Sequence, residues 1–134
     1  MKRLLLVLLV LMAPGLRPVM AGEAGIEATI TAQVEAFRAD DFEAAFDFAS
    51  TSIQTIFRTA DAFERMVRQG YGVMTDPAEM RFLDRREVAG SIWQRVLFRD
   101  ASGAVFLFDY QMIETAEGWR IGAVHPVKMP DQLT

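Results

Sequence analysis

The chain has 134 residues, no cysteine, a single histidine and a formal net charge of −4. Without thiols there is no disulfide framework and no cysteine-ligated zinc. The excess of 18 acidic over 14 basic residues points away from nucleic acid, whose phosphates attract the opposite sign.

In chain order the first signal concerns the compartment. Lys2 and Arg3 precede an unbroken apolar run of 10 residues from Leu4 to Ala13, and Pro14-Gly15 then breaks it. A charged start, a short apolar core and small residues beyond it are the pattern of an export signal. The run falls well short of the roughly 20 residues a spanning helix needs. This weighs against an uncleaved anchor or a buried first helix. Val19-Met20-Ala21 fits the cleavage pattern, so residues 1–21 read as a signal peptide and Gly22 as the mature start. The product is expected to be periplasmic or secreted, with no stable membrane anchor. Loss of Lys2, Arg3 and Arg17 leaves 11 basic against 18 acidic residues, so the mature net charge falls to −7.

Residues 22–134 read as one domain, because no repeat, low-complexity segment or long linker divides them. A chain of 113 residues can bury about two-thirds of its unfolded surface, and all 14 aromatic residues lie within it. Ile26, Ile30, Val34 and Phe37 follow i, i+4, i+8, i+11 spacing, which predicts a helix over 25–38. Asp40 followed by Glu43 resembles a capping box, with Asp in the Ser/Thr place, and opens a second helix through Phe42, Ala45, Phe46, Phe48 and Ala49. Ser50-Thr51-Ser52 offers new caps for one or two turns carrying Ile53, Ile56 and Phe57. Another helix begins near Thr59, turns Phe63, Met66 and Val67 inward, and fades at Gly70-Tyr71-Gly72.

After Asp76-Pro77 the apolar period changes to two, and four strands are predicted at about 80–88, 92–99, 104–114 and 119–127. The connections at 100–103 and 115–118 are short enough for hairpins, so neighbours should pair antiparallel. On the third strand, Val105, Leu107, Asp109, Gln111 and Ile113 oppose Phe106, Phe108, Tyr110, Met112 and Glu114. Both faces carry large apolar groups, so one should cover the helices while the other meets a ligand, a second sheet or a second copy of the chain.

Three helices followed by a twisted antiparallel meander is the order of the nuclear transport factor 2-like, or cystatin-like, cone. The ending Glu117-Gly118-Trp119-Arg120-Ile121 resembles the Gly-x-Trp-Arg-Ile of that cone's last strand. More closely, Ala36-Phe37-Arg38-Ala39-Asp40-Asp41, Ala45-Phe46, Ala49-Ser50, Ser52-Ile53-Gln54, Phe63, Met66-Val67 and Tyr71 resemble a bacterial domain-of-unknown-function family, numbered 4864. The resemblance covers most of the mature chain and implies an α+β fold: N-terminal helices packed on a curved antiparallel four-stranded meander. That family often has a cysteine after the last-strand glycine, where this chain has Gly122-Ala123. Relatives in the superfold, such as ketosteroid isomerase and scytalone dehydratase, place Asp, His or Tyr in the apolar cone for acid–base work. A fold name by itself carries no chemistry.

The chemical motifs are sparse. One histidine, no cysteine, and acids at 40, 41, 43 and 47 without calcium-loop spacing give no metal site. No Gly-x-Ser-x-Gly elbow or phosphate-cradling glycine loop is present, and no cofactor is implied. For acid–base chemistry the candidates are Asp109, Tyr110 and His125, the last expected to share a face with Trp119, Ile121 and Ala123. Against this stands a structural reading in which Asp109 pairs with an arginine such as Arg95 or Arg120, Tyr110 supports a core edge and His125 ends a strand. Arg120 is a candidate for an anionic ligand, because a guanidinium matches carboxylate geometry. Arg65, Arg68, Arg81, Arg85 and Arg86 form a possible anion or partner surface, but interleaved Asp61, Glu64, Glu79 and Asp84 point to surface pairing.

The sequence leaves three functions open and leans away from an enzyme. They are an exported ligand-binding or interaction module, a pocket enzyme of isomerase or dehydratase type, and a structural subunit of an envelope assembly. The partners expected are a small molecule and a second copy docked through the sheet by Phe106, Phe108, Tyr110 and Met112. N-terminal sequencing of exported protein should begin at Gly22; soluble cytoplasmic protein that retains Met1 would contradict the export reading.

Overall fold

The computed structural model describes residues 23–129, so the signal segment expected at 1–21 lies outside the described residues. Helices α1 (Glu23–Arg38), α2 (Phe42–Asp47), α3 (Thr51–Phe57) and α4 (Ala60–Gly70) come first. A 3-10 turn at Gly72–Thr75 follows, then strands β1 (Glu79–Val88), β2 (Ser91–Arg99), β3 (Val105–Thr115) and β4 (Gly118–Pro126). No helix among the described residues is long and apolar enough to cross a membrane. The expected α+β order is the observed one, with the short α3 making four helices.

The helices form where periodicity and caps coincide. The α1 stripe of Ile26, Ile30, Val34 and Phe37 is at most 4% exposed and forms the spine of the core. Asp41, and not Asp40, caps α2, its carboxylate accepting the Ala44 N–H at 3.0 Å. Asp40 is already used by the end of α1. The N–H groups of Asp40 and Asp41 bond to the Phe37 and Ala36 carbonyls, a left-handed helix stop that puts Asp40 at φ 58°. Ser50 and Thr59 accept from the Ile53 and Ala62 N–H groups and so start α3 and α4. Phe63 of α4 lies among the rings of Phe37, Phe46 and Phe57, at centroid distances of 5.1 to 6.1 Å, and this joins the helices into one layer.

The sheet runs β1-β2-β3-β4, with every neighbouring pair antiparallel. Its inner face, formed by Val96, Phe98, Phe108, Tyr110, Met112, Trp119 and Ile121, is buried under the helices. Phe108, Tyr110 and Met112 were the side chains expected to receive a second copy. The chain's own helices cover them at 4%, 0% and 3% exposure, leaving only Phe106 partly open at 38%. Any second copy docking on the sheet would meet the other face.

Two bulges interrupt the ladder and bend the sheet. On β1, Leu83 and Asp84 together oppose Arg95. Buried Gln94 holds this bulge: its amide donates to the carbonyls of Leu83 and Arg95, and its oxygen accepts from Arg85 Nε. On β4, Gly122 is the extra residue, because Gln111 pairs with Ala123 and Met112 with Ile121. Strict alternation would place His125 on one face with Trp119, Ile121 and Ala123. The inserted residue reverses the parity, so Trp119 and Ile121 face the helices while Ala123 and His125 take the outer face opposite Gln111 and Asp109.

Glycine at 122 is favoured by space and not by backbone angle. A Cβ there would overlap Ile113 Cδ1 and lie 3.1 Å from Gln111 Oε1, so the part-exposed Ile113 side chain would have to turn aside. Gly122→Ala should therefore lower unfolding stability by about 0.5–1 kcal/mol. Ile113→Val in the same chain should restore part of the loss, since valine lacks the clashing methyl; equal urea midpoints for wild type and Gly122→Ala would refute the crowding.

Candidate functional site

Asp109 sits at the middle of β3 on the outer face, directly across from Arg95 on β2 and His125 on β4. Its carboxylate takes a two-pronged contact from Arg95, with Nε at 3.0 Å and Nη2 at 3.1 Å, and a third from Arg86 Nη2 at 2.8 Å. That carboxylate holds the Arg95 guanidinium charged, above its ordinary pKa range. The residue is only 9% exposed. Asp109 is thus the buried centre of an arginine clamp, with three donors on its two oxygens. Trp93 and His125 lean toward each other beside it, ring centroids 5.1 Å apart.

Tyr110 points the other way. It is fully buried among the core side chains, and its hydroxyl donates to Met74 Sδ at 3.4 Å. Burial raises its phenol above the usual tyrosine range, since the phenolate would have no solvent. The three acid–base candidates therefore do not converge: Asp109 and His125 share the outer face, and Tyr110 lies beneath the sheet.

Arg120 borders a shallow depression of about 700 Å³ between the α2–α3 junction and the β3–β4 hairpin. Its Nη1 donates to the Trp119 carbonyl at 2.9 Å and its Nη2 lies 3.6 Å from Glu117. With Asp47 and Glu117 lining the same depression, an anion there would meet two carboxylates for one guanidinium. Of the other arginines expected to form an anion surface, Arg68 is engaged with Glu64 and Asp40, Arg81 with Glu79, Arg85 with Gln94 and Arg86 with Asp109, while Arg65 makes no ion pair among the described residues. Among the described residues no cluster of three or more His, Cys, Asp or Glu side chains is placed to hold a metal ion.

A second cavity, of about 460 Å³, opens between the helices and the free edge of β4. Its walls are Phe37 of α1, Ile53 and Phe57 of α3, Met66 and Val67 of α4, and the β4 segment from Ile121 to His125. Ile56, at 71% exposure, stands at its mouth. The polar residues along it are Gln33, Tyr71 and His125, the last with its ring on the outer face against Trp93, and no Asp, Glu, Lys or Arg lines it. Tyr71 spans the gap between the layers, its hydroxyl donating to the Val124 carbonyl at 3.0 Å.

A model for the domain of unknown function DUF4864 matches residues 20–134. The chain belongs to that family. No curated protein and no solved structure matches it. In this DUF4864 domain, the residues that give the cavity its character, Gln33 and Tyr71, were not legible as site residues. Gln33 occupies a polar slot one residue before the apolar stripe position Val34, and Tyr71 reads as the fading end of α4. Only the α1–β4 packing brings them to one wall. The arginine clamp was half legible: of the two partners anticipated, Arg95 and Arg120, only Arg95 reaches Asp109, and Arg86 joins it from beyond the β1 bulge.

The clamp makes Asp109 a structural residue of this DUF4864 domain. Asp109→Asn removes the charge and leaves the guanidiniums of Arg86 and Arg95 without their carboxylate. It should cost about 1–3 kcal/mol of unfolding free energy at neutral pH, less than a fully buried pair because both arginines reach solvent. A variant as stable as wild type in urea titration would refute the clamp.

Proposed function

We propose that this DUF4864 domain is an exported ligand-binding module and that its binding place is the cavity between α3, α4 and the edge of β4. One observation carries the reading: a space of about 460 Å³ is walled by apolar and aromatic side chains with a few polar groups. That is the size and composition of a small-molecule site. Of the acid–base candidates, Asp109 and Tyr110 lie elsewhere and His125 alone borders the cavity, its ring turned to the outer face against Trp93, which favours binding over turnover. Export is supported by Lys2-Arg3, the apolar run to Ala13 and the Val19-Met20-Ala21 pattern. Placement among the nuclear transport factor 2-like cones is supported by the helices-then-meander order and by Gly118-Trp119-Arg120-Ile121 on β4.

N-phenyl-1-naphthylamine, a neutral apolar dye that brightens when removed from water, tests the cavity. The wild-type domain should bind it at micromolar concentration with one site. Met66→Trp, which adds bulk on the half-buried α4 wall, should weaken binding at least tenfold while leaving the melting temperature within a few degrees. Unchanged dye binding by that variant would place the site elsewhere.

A further inference from the structure

We infer that the cavity takes a neutral, mostly apolar molecule whose polar group donates a hydrogen bond, and that Gln33 is the residue that reads it. The inference rests on the reading of the cavity as a binding place. Gln33 is only 4% exposed. Its Nε2 donates to the Ala45 carbonyl at 3.1 Å, across the junction of α1 and α2. That bond fixes which way the carboxamide points, with nitrogen toward α2 and oxygen away from it.

Within the described residues no donor reaches Gln33 Oε1. Nor is the oxygen sealed in the core, since Trp119 Nε1 is the one buried side-chain polar atom there without a partner. Oε1 therefore borders open space, and Gln33 lines the cavity. A ligand that fills the cavity excludes water from this acceptor, so one that supplies a donor gains over one that leaves it unpaired. Tyr71 adds to the same polarity. Its hydroxyl proton is committed to the Val124 carbonyl, so toward a ligand the oxygen only accepts. With no Asp, Glu, Lys or Arg on the walls and the His125 ring turned to the outer face against Trp93, a carboxylate or ammonium would enter without a counter-charge and lose its hydration. The chemistry that fits is an alcohol or phenol on an apolar frame.

Three naphthalenes of nearly equal shape separate the possibilities at pH 7: 2-naphthol, 2-methoxynaphthalene and 2-naphthoate. The naphthol donates, the ether does not, and the third carries charge. A cavity without a directed acceptor favours the ether, which has one more methyl group to bury. We expect wild-type protein to bind the naphthol at least fivefold tighter than the ether and tenfold tighter than the naphthoate. In Gln33→Met, which keeps length and removes the acceptor, the naphthol-to-ether preference should fall below twofold with ether affinity retained.

An ether that binds wild type as tightly as the naphthol overturns the inference, and this comparison stands even if Gln33→Met fails to fold. If the ether binds without preference and Met66→Trp abolishes it, only the role of Gln33 falls. If neither the dye nor any naphthalene binds, the cavity reading falls with it.

Discussion

The two layers are joined by a pair of hydrogen bonds at one residue. The Ile121 N–H donates to the Phe48 carbonyl and its carbonyl accepts from the Ser50 N–H, so the α2–α3 junction runs parallel to β4 for one bridge. This contact satisfies backbone groups that an edge strand would otherwise present to solvent. It also fixes Ser50, whose side chain starts α3, and therefore the direction in which α3 leaves the sheet. One residue later Gly122 bulges, and the strand departs from the helical layer. The cavity opens where that contact ends, and Tyr71 bridges the separation through Val124.

The two faces of the sheet solve different problems. The inner face is a packed core in which Gln94 is satisfied by holding the β1 bulge, while the buried Trp119 Nε1 has no hydrogen-bond partner. The outer face has no second layer among the described residues, yet it carries Trp93, Leu97 and Leu107 between its charged groups. Asp109 draws Arg86 and Arg95 across this face, and the aliphatic stems of the arginines cover apolar surface while their heads reach water. A clamped carboxylate serves stability and solvation. A carboxylate kept for chemistry would need a free lone pair directed at a substrate.

The cavity exists because the helical cover is thin over β4. Helix α3 has seven residues and none of them is fully buried. Its apolar side chains line a space instead of filling it. Where α1 covers the rest of the sheet, by contrast, Ile26, Ile30 and Val34 are at most 1% exposed, and packing is complete. The polar groups bordering the space come from the two elements flanking that thin roof, Gln33 from α1 and Tyr71 from the end of α4. Their hydrogen bonds to Ala45 and Val124 lock both side chains before any ligand arrives, a form of pre-organisation that lowers the cost of binding.

Local rules fixed much of this protein from the sequence alone. The α1 stripe, the caps at Ser50 and Thr59, the change from helical to strand period after Pro77 and the four-strand meander all depend on residues close in the chain, and each is found where the pattern places it. A pairing of Asp109 with an arginine was legible, with Arg95 and Arg120 both open, and the register of β2 on β3 selects Arg95. Three things were not legible. Asp40 yields the α2 cap to Asp41 because the stop of α1 consumes it, and His125 changes face because one inserted residue reverses the alternation. The site itself depends on Gln33 and Tyr71, 38 positions apart, whose approach to β4 is set by helix–sheet packing. Period, capping and turn chemistry act over a few residues and are written in the sequence; bulges, faces and cavities come from how completely two layers fill the space between them, which only the tertiary structure decides.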